Sequence, residues 1–160
     1  MKNASFLAIV AFVVVVSACG SPEKENTTNQ EPAQSMVEDA PPAYDSTRGQ
    51  GKWTEENINL GESLNQEWVT SGENISNTKC TSCHKLTHEK LVGPGWEGVT
   101  TRRKPEWIMN FITNPDPMID KDPNAQAMLE LCLVRMPNQN LSDGEARNIF
   151  EFMRKNDGVK

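Results

Sequence analysis

The run Lys79-Cys80-Thr81-Ser82-Cys83-His84-Lys85 places two thiols three positions apart, with an imidazole directly after the second. That spacing suits covalent capture of a c-type haem. Each thiol can add to one of the porphyrin's two vinyl groups, and the adjacent imidazole then faces the iron from one side of the ring. Cys80 and Cys83 are therefore the candidate thioether residues for one haem c, and His84 is its candidate proximal ligand. Two other chemistries use the same residue types. A thioredoxin-type CxxC opens a helix within a βαβ pattern, and no alternation of strands and helices surrounds Cys80. A closed zinc site needs four nitrogen or sulfur ligands. Cys80, Cys83, His84 or His88, and Cys132 are the donors on hand, but no second pair stands at finger-like spacing.

An iron held by His84 leaves its other face to a second residue or to an open site. Met136 lies in Val134-Arg135-Met136-Pro137-Asn138-Gln139-Asn140, a polar stretch in which an apolar thioether needs a reason to be buried. The proline after it fixes the backbone and helps hold a sulfur over the ring. Met136 is the candidate distal ligand, and Met118, in a Pro-rich turn, is the alternative. Met109, Met128 and Met153 fall within helical patterns and read as packing residues. A His/Met pair raises the reduction potential and closes the iron to substrate, which favours electron transfer over catalysis.

The elements that must position these residues read as helices. Asn57 to Cys80 is helical in part, with an interruption expected near Gly72. The loop Leu91-Val92-Gly93-Pro94-Gly95-Trp96-Glu97-Gly98 follows the thiol motif. Pro105 then suits a first helical turn, and Trp107, Ile108, Phe111 and Ile112 share one apolar face. Asn114-Pro115-Asp116-Pro117 stops that helix, and Asp122-Pro123 caps another through Ala127, Met128 and Leu131. Ser142-x-x-Glu145 is a capping box opening a last helix through Ile149, Phe150, Phe152 and Met153 to about Lys155. With no hairpin signal the domain is all-α, four to five helices around one haem, and it spans residues 54–158.

Ahead of it, Met1-Lys2-Asn3-Ala4-Ser5 and the apolar run Phe6 to Val16 have the shape of a secretory signal. The run is too short for a bilayer-spanning helix, which needs ~20 residues. Val16-Ser17-Ala18-Cys19-Gly20 resembles the lipobox of bacterial lipoproteins, which implies a signal over 1–18 and a lipid on Cys19. Residues 19–53, with Pro22, Pro32, Pro41 and Pro42 among polar side chains, read as a lipid-anchored disordered tether. The formal charge is −6, and losing Lys2 with the signal makes it more negative still. An acidic chain is a poor nucleic-acid binder, and its charge either steers it towards a basic partner or merely keeps it soluble.

From about residue 60 to 157 the chain resembles the class I (mitochondrial-type) c-type cytochromes. The resemblance is carried by Gly72 eight positions before Cys80, the C-x-x-C-H at 80–84, Val92-Gly93-Pro94, Met136-Pro137 and a closing helix with Phe150 and Phe152. It implies that the first and last helices cross near Gly72, and that the Pro94 carbonyl accepts the Nδ1–H of His84 and so orients the ligand. One position departs: an aromatic is usual where this chain has Ser76, and Ile75 is the neighbouring filler. Gly93 to Asn140 further resembles cytochrome c domains that accompany nitrous-oxide reductases, through Thr101-Arg102-Arg103-x-x-x-Trp107, Asn-Pro, Asp-Pro and Met-Pro-Asn. This implies a periplasmic redox partner, such as that reductase, for a lipid-anchored carrier at the cell envelope.

Other residues keep two readings each. Arg102 and Arg103 either pair with haem propionates or form a solvated cluster before a helix. Trp107 either donates to a propionate or is a core residue, and Trp96 lies near the haem edge or in the core. His88 reads as a surface residue and Cys132 as inert packing. Against the carrier stand two alternatives. One is a haem enzyme or gas sensor with an open or labile sixth site, and the other is a lipoprotein whose CxxC binds zinc or forms a disulfide.

Overall fold

A computed structural model describes residues 43–160. The expected signal, Cys19 and the tether up to residue 42 lie outside the described residues. Among those described there are six α-helices, one 3-10 turn (Glu55–Asn57) and no strand. In chain order the helices are α1 (Gln66–Lys79), α2 (Val99–Arg102), α3 (Pro105–Thr113), α4 (Pro115–Lys121), α5 (Pro123–Cys132) and α6 (Asp143–Asn156). None is long and apolar enough to cross a membrane.

The frame is the crossing of α1 with α6. Gly72 does not interrupt α1, as the sequence reading expected, but sits inside it at the point of closest approach. A methyl group there would lie 2.0 Å from the Asn148 carbonyl oxygen, so only glycine admits this crossing. Val69, Gly72 and Ser76 form the buried face of α1; Ala146, Ile149, Phe150 and Met153 are buried on α6. Full burial of side chains such as Val69, Ile149 and Phe150 contributes roughly 1.5–3 kcal/mol each. The crossing forms although Ser76 stands where an aromatic is usual, and Ile75 packs against the core beside it.

Helix boundaries follow local chemistry. The Asn65 side chain accepts from the amides of Glu67 and Trp68 to start α1. Asp122, fully buried, accepts from those of Asn124 and Ala125 to start α5. The capping box of Ser142 and Glu145 starts α6. Pro105, Pro115 and Pro123 each open a helix, where a missing N–H is harmless. The Asn114-Pro115 step therefore ends α3 but also begins α4 directly, with no loop between them.

Residues 44–53, read from the sequence as part of the tether, are built onto the domain. The Tyr44 hydroxyl donates to Asp122 Oδ2 at 2.9 Å, and Asn124 Nδ2 donates to the Ser46 carbonyl at 3.2 Å. The Gln50 amide donates to Met118 Sδ at 2.8 Å. Asn110, 1% exposed on α3, accepts from the Trp53 amide at 2.9 Å and donates to the carbonyls of Arg48 and Trp53. The segment forms a strap across α3, α4 and the start of α5.

Candidate haem site

The turn after α1 is set by its own backbone. Cys80 caps the helix, and the amides of Cys83 and His84 both donate to its carbonyl, at 3.0 and 2.9 Å. The Cys83 carbonyl then accepts from Val92 and Gly93, which folds the following loop back beneath the histidine. His84 Nδ1–H donates to the Pro94 carbonyl at 2.8 Å, the bond implied by the resemblance. Burial pushes the His84 pKa down while this hydrogen bond opposes it. The neutral imidazole, the form that ligates a metal, is thus favoured, with Nε2 as its free lone pair. Gly93 is a second position that only glycine fits, since a methyl there would stand 2.4 Å from His84 Cε1. Trp96 is buried and its ring is tilted against that of His84, with centroids 5.8 Å apart.

Beside this turn lies a cavity of about 600 Å³. Cys80, Cys83, His84, Pro94 and Trp96 line it, together with Arg102, Arg103 and Trp107, and Met136 lines it as well. The lining residues from α3, α5 and α6 are apolar: Ile108, Ile112, Leu129 and Ile149 among them. Met118 is absent from the lining, and its sulfur is engaged by the Gln50 amide of the strap. Met109 is wholly buried in the core. Met128, Met153 and Cys132 face this cavity, where the sequence pattern read them as ordinary packing residues.

The cavity's polar edge carries an unsatisfied donor. Trp107 Nε1 is buried with no hydrogen-bond partner, although an orphaned buried N–H is expensive. The Arg103 guanidinium stacks over the same indole at 5.0 Å, and Phe111 stacks on it at 5.0 Å. An acidic group entering the cavity beside Trp107 and Arg103 would meet a donor and a cation already positioned. Arg102 is held by the carbonyls of Glu97 and Gly95. The short helix α2 that carries Arg102 is pinned to the end of α6 by Asp157. Its carboxylate accepts from the amides of Gly98 and Thr100 at 2.6 and 2.8 Å. Sequence reasoning missed Asp157, because its partners lie more than fifty residues away and no local pattern marks it.

An apolar cavity with two thiols, one poised imidazole and an orphaned donor at its edge fits a haem. The other readings of the cysteines fit less well. Among the described residues no three His, Cys, Asp or Glu side chains converge as a metal site needs. Cys80, Cys83 and Cys132 are free thiols, and His88 is exposed, near Glu97.

Comparison with known proteins agrees. The cytochrome c family model matches residues 69–157. No curated protein sequence matches the chain. Among solved structures, a cytochrome c from Rhodothermus marinus is 34% identical, with a TM-score of 0.62, covering 66% of this chain and 90% of that one. An engineered form of the Rhodothermus marinus protein is 33% identical with a TM-score of 0.61 over the same shares. The same engineered protein, bound to a carbene intermediate, matches with a TM-score of 0.58. The family match covers more than half of the chain, and a relative at one-third identity shares its fold. This chain belongs to the cytochrome c family, haem-based electron-transfer proteins that hold haem c covalently.

Proposed function

We propose that this cytochrome is a lipid-tethered periplasmic electron carrier with His84 and Met136 as axial ligands, passing electrons to a respiratory reductase or oxidase. The observation that carries the ligand assignment is that His84 and Met136 line one cavity while the sulfur of Met118 is bonded to the strap. Cys80 and Cys83 hold the porphyrin as thioethers. His84, aimed by the Pro94 carbonyl, and the thioether of Met136 would ligate its iron. When bound, the haem supplies a one-electron couple whose potential the His/Met pair raises. Trp107 and Arg103 orient it through its acidic edge. The apolar walls exclude water, so little solvent must reorganise when the charge on the site changes. Cys19 supplies the anchor, and the tether from residue 19 to about 43 gives the domain its reach. The Gly93–Asn140 resemblance favours nitrous-oxide reductase as the acceptor.

The decisive experiment is the spectrum of Met136→Ala beside that of the unaltered holoprotein. The unaltered protein is expected to show the far-red sulfur-to-iron charge-transfer band when oxidised and to bind carbon monoxide slowly or not at all. Met136→Ala should keep its haem on a denaturing gel, lose the band and bind carbon monoxide promptly. Its potential should drop by a sizeable part of the roughly 0.8 V that axial ligands command. An unchanged spectrum would exclude Met136, and prompt carbon monoxide binding by the unaltered protein would turn the reading to a gas sensor or haem enzyme.

A further inference from the structure

The segment that carries Met136 is tied to the rest of the domain by side chains alone. Helix α5 ends at Cys132, and Leu133 turns the chain away from it at φ 58°. From Val134 to Leu141 no backbone–backbone hydrogen bond reaches the segment among the described residues. Its internal bonds are short in range: Gln139 Nε2 donates to the Pro137 carbonyl at 3.1 Å, and the Asn140 amide to Asn138 Oδ1 at 2.8 Å. Two cations tie it to other elements. Arg135 Nη2 donates to Asp116 Oδ1 at 3.2 Å and to Asp120 Oδ1 at 2.9 Å. Lys79 Nζ donates to the Gln139 carbonyl at 3.4 Å, a longer and weaker bond.

The Arg135 tie ends on a fixed support. Asp116 and Asp120 lie one turn apart on α4 and are exposed, while Pro115, Met118 and Ile119 of the same helix are buried. Met118 Sδ accepts from the Gln50 amide, and Asp122 at the end of α4 accepts from the Tyr44 hydroxyl. The strap thus braces the helix whose aspartates grip Arg135.

By themselves the two aspartates do α4 little good. Like charges four positions apart disfavour a helix, and Asp120 stands near the carbonyl end, where negative charge is disfavoured again. A cation bridging the pair offsets both effects, and the one that bridges it is the residue next to Met136. Exposed ion pairs add little to global stability. This one acts on a segment with few other polar ties, beside a residue that lines the cavity.

We propose that Arg135, forked between Asp116 and Asp120, is the positioning residue for Met136. It hangs the Met136 segment from α4 and so sets how often the sulfur swings out of the cavity. This rests on the reading of Met136 as the distal ligand.

Carbon monoxide binding to the reduced, haem-loaded full chain is the probe. The gas can enter only while the Met136 sulfur is away, so its rate reads the fraction of time the segment stands open. Arg135→Gln should keep the far-red sulfur-to-iron band when oxidised, yet bind carbon monoxide about fivefold faster, the upper range for an exposed pair. Asp116→Asn combined with Asp120→Asn should do the same. The triple variant should be no faster than Arg135→Gln alone, because all three residues act through one contact. Lys155→Gln breaks a similarly exposed pair with Glu73, neither residue of which lines the cavity, and should leave the rate unchanged. An unchanged rate in Arg135→Gln, effects that multiply in the triple variant, or equal acceleration by Lys155→Gln overturns the proposal. So does a lowered melting temperature with no change in rate, which would leave the pair merely structural. Absence of the far-red band from the unaltered protein would sink the ligand reading itself, whereas its presence beside an unmoved rate sinks only the Arg135 tie.

Discussion

His84 is held by a backbone carbonyl and crowded by a glycine, and the two positions differ in what they tolerate. The carbonyl of residue 94 persists whatever the side chain, but a methyl at residue 93 would overlap the imidazole. Gly93→Ala is therefore expected to break the bond to Pro94 and rotate the ligand. Overpacking of this kind costs about 1–3 kcal/mol, so the holoprotein should melt lower by roughly 3–6 °C per kcal/mol for a domain of this size. Calorimetry together with the spectrum of the iron checks it; an unchanged melt and spectrum would mean that the loop simply moves aside. These residues were legible in the sequence because their chemistry is local. The thiols and imidazole fall within five positions, and Val92-Gly93-Pro94 follows closely. Trp107 was legible only as two alternatives, since nothing local to it says whether its indole N–H has a partner. Its orphaned nitrogen now favours the haem-facing one.

Among the elements, α6 is tied to the chain ahead of α1 through a buried carboxylate. Glu151 accepts from Arg147, from Arg154 at 3.0 Å and from the Asn65 amide at 3.0 Å, while Arg154 also donates to the Gly61 carbonyl. Burial works against the charge on Glu151, but the Arg147 hydrogen bond, the Asn65 amide and the other contacts prevail and hold its pKa below the usual value. A carboxylate depressed in the folded state stabilises fully above its unfolded pKa of about 4.3 and loses that contribution as pH falls through the folded value. Acid titration of the melting temperature should thus show a decline below about pH 4–5, and the decline should be shallower in Glu151→Gln. At neutral pH that variant should be less stable by about 3 kcal/mol, because two arginines lose their buried partner. An equally steep acid decline in the variant would assign it to other carboxylates. The helices were readable from prolines, caps and apolar spacing, but the strap was not. Its residues are mostly polar and follow Pro41-Pro42, and what orders them is supplied by Asn110, Met118 and Asp122, 57 to 78 positions along the chain. Gly72 misled for a related reason. A glycine reads as a helix breaker until the helix that crosses it is known.

For the molecule as a whole, the haem is a structural component. Without haem, the apolar walls from α3, α5 and α6 that line this cavity of about 600 Å³ face water, and burial that stabilises by ~25 cal/mol per Å² is lost over all of them. A typical domain is stable by only about 5–15 kcal/mol, so the haem-free chain is expected to collapse or unfold. A Cys80→Ala, Cys83→Ala chain made without haem is expected to give a flat near-ultraviolet circular dichroism spectrum and no cooperative melt. A sharp transition would show that the protein part closes on itself. The α1–α6 crossing adds a constraint of timing. Gly72 meets Asn148, 76 positions later, so α1 has no surface to settle on until nearly the whole chain is present. In the folded domain Cys80 is buried, and burial pushes its thiol pKa up, away from the reactive thiolate. Haem attachment therefore belongs to the open chain, whose Cys80 thiol is ordinary in its reactivity, and the haem once in place gives α1 and α6 a common surface to close on.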